Sequence, residues 1–109
     1  MSRKANNKTD RQTIQRFDEI INIGPAMTRD FELLGIENPQ GLIGQDPLRL
    51  YQQICELEKK FYDPCVLDVY IATVDYMNGN PPKVWWHFTK QRKRKYTEQV
   101  DELRGRFDR

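Results

Sequence analysis

The chain has 109 residues, enough for one domain built on one core. Apolar residues make up 38% and charged residues 31%, and the mean hydropathy is −0.85. No apolar run nears the ~20 residues of a membrane span, and 11% aromatics supply the large side chains that a disordered chain lacks. The net charge of +2 conceals an asymmetry: residues 1–16 carry five bases against one acid, residues 17–82 four against eleven, and residues 83–109 nine against four. Basic ends around an acidic middle allow an anionic partner at the ends and argue against a uniformly basic binding face. Two cysteines, Cys55 and Cys65, are too few for a secreted disulfide framework, and residues 1–8 lack the apolar stretch of a signal peptide. The expectation is a cytoplasmic protein with reduced thiols and no membrane association.

In chain order, residues 1–8 are expected to form a disordered tail. Thr9 or Asp10 can cap a first helix whose stripe is Ile14, Phe17 and Ile21. Asn22-Ile23-Gly24-Pro25 breaks it, and Met27, Phe31 and Leu34 form the next stripe, closed by Gly35. Three further starts pair a capping residue with proline: Asn38-Pro39, Asp46-Pro47 and Asp63-Pro64. The first opens a short turn. The second opens a helix striped by Leu50, Ile54, Leu57 and Phe61, and the third one striped by Leu67, Ile71 and Val74. Asn78-Gly79-Asn80-Pro81-Pro82 ends it, and after Trp85-Trp86-His87-Phe88 the last helix carries Tyr96, Val100, Leu103 and Phe107. No segment alternates with period two. The pattern predicts an all-α fold of five main helices and one short turn, with a domain over 9–89 and a basic amphipathic C-terminal helix over 90–109.

A tight turn between helices needs positive φ, which Gly24 supplies freely and Asn22 supplies best among other residues. The N–H groups of Gly24, Ala26 and Met27 would then point outward around Pro25 as a nest suited to a phosphate oxygen. With these residues the chain resembles the helix-hairpin-helix family of DNA-backbone binders, whose glycine–hydrophobic–glycine hairpin reads Asn22-Ile23-Gly24 here. Leu33-Leu34-Gly35-Ile36 and the Leu48–Tyr51 segment resemble the C-terminal domain of TfoX-type competence regulators. From about Ile20 to Lys93 the chain more closely resembles a small bacterial family filed under "pathogenicity locus" or mitomycin resistance. Asn22-Ile23-Gly24-Pro25, Asp63-Pro64-Cys65-Val66-Leu67-Asp68-Val69 and the stretch from Gly79 to Lys93 with its Trp85-Trp86-His87-Phe88-Thr89 carry that likeness. The resemblance implies a compact helix-hairpin-helix domain and a DNA-damage setting. The 39 residues from Pro25 to Pro64 also allow a doubled hairpin.

Arg29 is the first base after the turn, followed by Asp30 and Glu32, which oppose a phosphate. Lys90-Gln91-Arg92-Lys93-Arg94-Lys95 places five bases at the wrong end of the last helix for the macrodipole, so phosphate contact competes with a solvated face as its explanation. Trp85 and Trp86 suit either stacking on bases or anchoring the loop, with anchoring favoured. His87 is the sole histidine, and Cys55, Cys65 and His87 match no common zinc spacing, so neither a metal nor another cofactor is expected. Cys65, in the first turn of its helix, is expected to be a packed thiol, with a dipole-stabilised thiolate as the alternative. No nucleophile triad, P-loop or carboxylate pair is present, so no enzyme is expected. The leading reading is non-enzymatic binding of the DNA backbone through Asn22, Gly24, Ala26, Met27, Arg29, Lys90, Arg92, Lys93, Arg94 and Lys95. The alternative is a protein-interaction adaptor that docks a partner or a second copy through the Tyr96–Phe107 stripe.

Overall fold

The structure, a computed structural model, describes residues 14–108. Among these residues lie four α-helices and no strand: α1 (Pro25–Leu33), α2 (Pro47–Glu58), α3 (Pro64–Met77) and α4 (Thr89–Phe107). Short 3₁₀ turns cover Phe17–Glu19, Pro39–Leu42 and Trp85–Phe88. The fold is all-α, and each cap-proline start sits where it was read. Asn38 accepts from the Gln40 N–H at 3.1 Å, Asp46 from Leu48 at 3.0 Å and Asp63 from Cys65 at 2.8 Å. Each such cap stabilises its helix start by about 1 kcal/mol. α2 ends at Lys59 in the left-handed region (φ 53°), and α3 ends before Gly79 (φ 117°).

The segment before Asn22 departs from expectation. In place of a helix striped by Ile14, Phe17 and Ile21, the described residues form only the 3₁₀ turn Phe17–Glu19. The Glu19 carboxylate accepts the N–H groups of Gln15 (2.9 Å) and Arg16 (2.8 Å), which seals the turn, and Arg16 and Ile20 on either side are extended. Ile14, Phe17, Ile20 and Ile23 are buried, whereas Ile21 is only half-buried. The α-helices therefore number four here rather than five, and no α-helix precedes the Asn22 turn among the described residues. The two halves are not copies of one hairpin: α2 and α3 make a helical hairpin, whereas Asn22 joins a 3₁₀ turn to α1. Residues 1–8 and the Thr9 or Asp10 start lie outside the described residues.

α3 is the centre of the core. Leu67 through Val74 are all buried, and α2, α4 and the 3₁₀ turns Pro39–Leu42 and Trp85–Phe88 pack around α3. Tyr70 joins α3 to α1: its ring lies 5.1 Å from that of Phe31, and its hydroxyl donates to the buried Asp30 at 3.0 Å. In α4, Val100 and Leu103 are buried, and Tyr96 and Phe107 pack against the same core. The Tyr96–Phe107 stripe thus belongs to the domain itself and is not a free docking face, because α3 and α2 already cover it. At Tyr96 the helix kinks (φ −125°, ψ 15°).

Candidate nucleic-acid interface

Asn22 adopts φ 78°, as the turn requires. Its side chain, however, is committed to protein. Nδ2 donates to the Lys83 carbonyl at 2.8 Å, and Oδ1 accepts the Trp85 N–H at 3.2 Å. Asn22 is therefore a latch between the turn and the loop that leads into α4. Gly24 departs from expectation, since it is extended (φ −116°, ψ −173°) and an added Cβ would meet nothing within 4 Å. The proline that follows holds it there, and its carbonyl accepts both the N–H and the hydroxyl of Thr28 at 3.1 Å.

Ala26 and Met27 stand in the first turn of α1, where no side chain caps the helix. An open hollow of about 430 Å³ beside that turn is lined by Asp18, Glu32 and Glu37 against Arg16 alone among bases. Arg16 itself pairs with Asp18 at 2.8 Å. This acidity opposes the anion that the helix end would attract. Arg29 reaches across to Glu58 on α2 at 3.1 Å, and that contact, with Tyr62 beside it, raises the guanidinium pKa. Its charge is already balanced within the fold.

The basic run divides in two. Arg92 points into the protein, where its guanidinium forks onto Asp68 of α3 (Nε–Oδ1 2.9 Å, Nη2–Oδ2 3.3 Å). Asp68 has no exposed surface, and the Thr89 hydroxyl donates to the same carboxylate at 2.7 Å. Arg92 is thus withdrawn from any surface contact. Lys90, Lys93 and Arg94 face outward, and none of them pairs with a carboxylate among the described residues. At the pitch of an α-helix these three span about 100° of arc, a single cationic ridge. Lys95 is exposed on another side, with its ammonium 5.3 Å from the Tyr96 ring.

The ridge begins beside the aromatic turn. Trp85 packs against the core, but Trp86 is 61% exposed, its ring 5.5 Å from that of Trp85 and nearly perpendicular to it. The anchoring role expected of the pair falls to Trp85 alone. Cys65 is half-buried, and burial together with Asp63 pushes its thiol pKa up. Among the described residues no three potential ligands from His, Cys, Asp and Glu gather to hold a metal ion, and no helix is long and apolar enough to cross a membrane.

The sequence reading missed the Asp68–Arg92 pair. A lone aspartate inside the apolar run Val66-Leu67-Asp68-Val69 signals a buried counter-charge, and Arg92 shares a helix phase with Phe88 and Tyr96.

These features define an all-helical domain with one cationic helix ridge. A family model described as pathogenicity locus (Cdd1) matches residues 10–94, and the chain belongs to that family. It is also 37% identical, over 75 residues, to the mitomycin resistance protein McrB of Streptomyces lavendulae, an alignment that covers 69% of this chain and 71% of the relative. No solved structure matches.

Proposed function

We propose that this protein is a non-enzymatic, cytoplasmic DNA-backbone binder with little sequence preference, acting in a DNA-damage setting such as mitomycin resistance. The outward ridge of Lys90, Lys93 and Arg94 carries the reading. Lys90 stands in the first turn of α4, where a cation costs about 0.3–1 kcal/mol, and Lys93 and Arg94 lie beyond that turn, so helix stability gives no reason for the run. A phosphate strand along the ridge offsets that cost. The α1 N-terminus, with Ala26 and Met27, contributes less because of its acidic surroundings, and Arg29 and Arg92 have their own partners. The name of the Streptomyces relative agrees with this setting.

A labelled duplex titrated over a series of salt concentrations tests the proposal. About four neutralised phosphates give a slope of log K against log salt near −3.6, and removing three shallows it by about 2.7. The alanine triple variant at Lys90, Lys93 and Arg94 should therefore bind more weakly on every sequence, with that shallower slope. No binding of duplex or single-stranded DNA at low salt, or an unchanged slope, would overturn the proposal. Attention would then pass to protein contact at the apolar hollow between Leu33, Leu34 and Leu57.

A further inference from the structure

We infer that Trp86 is a stacking platform for an unpaired nucleobase, so that the strand held along α4 is single-stranded DNA; the inference rests on the backbone-binding reading above. Trp86 is 61% exposed, whereas the other phenylalanine, tyrosine and tryptophan residues described are buried or partly buried against the core. Its backbone is nevertheless fixed. Trp85 before it is tied to Asn22 and packs on the core, Phe88 after it is buried, and the His87 N–H closes the turn on the Val84 carbonyl at 3.1 Å. The perpendicular contact with Trp85 orients the indole while leaving most of it in water. A rigid, solvated ring loses little freedom when a base stacks on it.

Its position relative to the charges supplies the second half of the argument. Trp86 lies four residues before Lys90, seven before Lys93 and eight before Arg94. Trp86 stands in the 3₁₀ turn that runs directly into α4 and is exposed like the three bases, with Lys90 roughly 7 Å and Lys93 and Arg94 roughly 11–13 Å further along the axis. A π-face at the head of a row of cations is the pairing that single-strand binders use, with bases on the aromatic and phosphates on the cations. In a duplex the bases are stacked on one another, and an indole at the helix surface has no free base to meet. An apolar protein partner would need a contiguous apolar patch, whereas His87, Lys90, Gln91 and Lys93 around Trp86 are all polar and exposed.

The test compares a thymidine oligonucleotide with a duplex of the same length, using the intact protein and the variants Trp86→Ala and Trp86→Phe. Loss of one stacked base weakens binding by roughly 5- to 150-fold. Trp86→Ala should show that loss on the single strand and little change on the duplex, and Trp86→Phe should retain most of the affinity. Both variants should melt with the parent, because the side chain is exposed. An equal loss on both DNA forms, or none on the single strand, would overturn the stacking role while backbone binding stood on the Lys90, Lys93 and Arg94 variant. Absence of binding to either form at low salt would remove both readings.

Discussion

Arg92→Ala offers the sharpest separation between a core residue and a DNA contact. Asp68 has no exposed surface and accepts three hydrogen bonds, two of them from Arg92 at 2.9 and 3.3 Å and one from Thr89 at 2.7 Å. Removing the guanidinium leaves a carboxylate out of water with one neutral donor, and such orphaned charges cost about 3–5 kcal/mol. Domains of this size are stable by about 5–15 kcal/mol, so the variant should unfold at far lower urea and melt about 15 °C lower. Asp68→Asn should cost about 2–3 kcal/mol, because it keeps the shape and the Thr89 contact but weakens the charged hydrogen bonds. Its guanidinium partner, with a side chain 10% exposed, also retains a little water. Replacing both together, Asp68→Leu with Arg92→Met, should recover most of the loss.

The conservative variant adds a functional readout. Lysine keeps the charge but not the planar fork, so Arg92→Lys should also destabilise, whereas a phosphate contact would tolerate it. Binding by the folded fraction should keep the parental salt slope in each of these variants. Urea titration followed by far-UV circular dichroism measures the stabilities. A cost below about 1 kcal/mol for Arg92→Ala, or a salt slope shallowed by about 0.9, would refute the buried-pair argument.

Gly24→Ala should change stability by less than about 0.5 kcal/mol in a thermal melt, because the backbone there is extended and nothing lies within 4 Å of a new Cβ. Asn22→Gly should cost about 1–3 kcal/mol through its two lost hydrogen bonds, and Asn22→Ala about 1–2 kcal/mol more through the left-handed backbone; amide exchange at Trp85 should quicken in both. Burial raises the Asp30 pKa above its ordinary 3.8, opposed by the bond from Tyr70. A carboxyl whose folded pKa is raised contributes stability that is full below 3.8 and lost as pH climbs through the raised value. Asp30→Asn, still able to accept from Tyr70, should therefore gain on the parent as pH rises through that window, and a pH-independent difference in urea midpoint would count against this.

What was legible in the sequence was local. A cap and its proline lie two or three residues from the N–H they satisfy, so the starts at Asn38, Asp46 and Asp63 needed no tertiary information. Stripes were less secure: Leu50 and Ile54 are buried as read, but Leu57 is 52% exposed and lines an open hollow with Leu33 and Leu34. The first helix failed because Ile14, Phe17, Ile20 and Ile23 recur every three residues, a spacing that serves a tight turn as well as a helix. There Glu19 captured two backbone N–H groups for the turn. The Asn22 latch spans more than sixty residues, and no local pattern announces it. Arg92 was legible in principle. Extending the Tyr96–Phe107 stripe backwards by one turn lands on it, and only the surrounding lysines disguised the phase.

The buried pair and the exposed ridge are one device. A helix carrying five bases in six positions has no intrinsic preference for which of them faces the protein, since all are costly to bury. Asp68 settles the choice. Held without solvent on the central helix, it accepts only a donor that can fork onto both oxygens, and Arg92 meets that need where a lysine does not. Once Arg92 is turned inward, helical geometry leaves Lys90, Lys93 and Arg94 outward, and Phe88 and Val100 fall on the buried side with it. The Asn22 latch acts just ahead of the same helix by fixing the Trp85 N–H, and Trp86 meets the solvent at the head of the ridge. Two polar contacts within the fold thereby set the rotation of α4 and the position of the ring ahead of it. Asp68→Asn should accordingly lower the urea midpoint, while the folded fraction, with Lys90, Lys93 and Arg94 intact, keeps the parental salt slope.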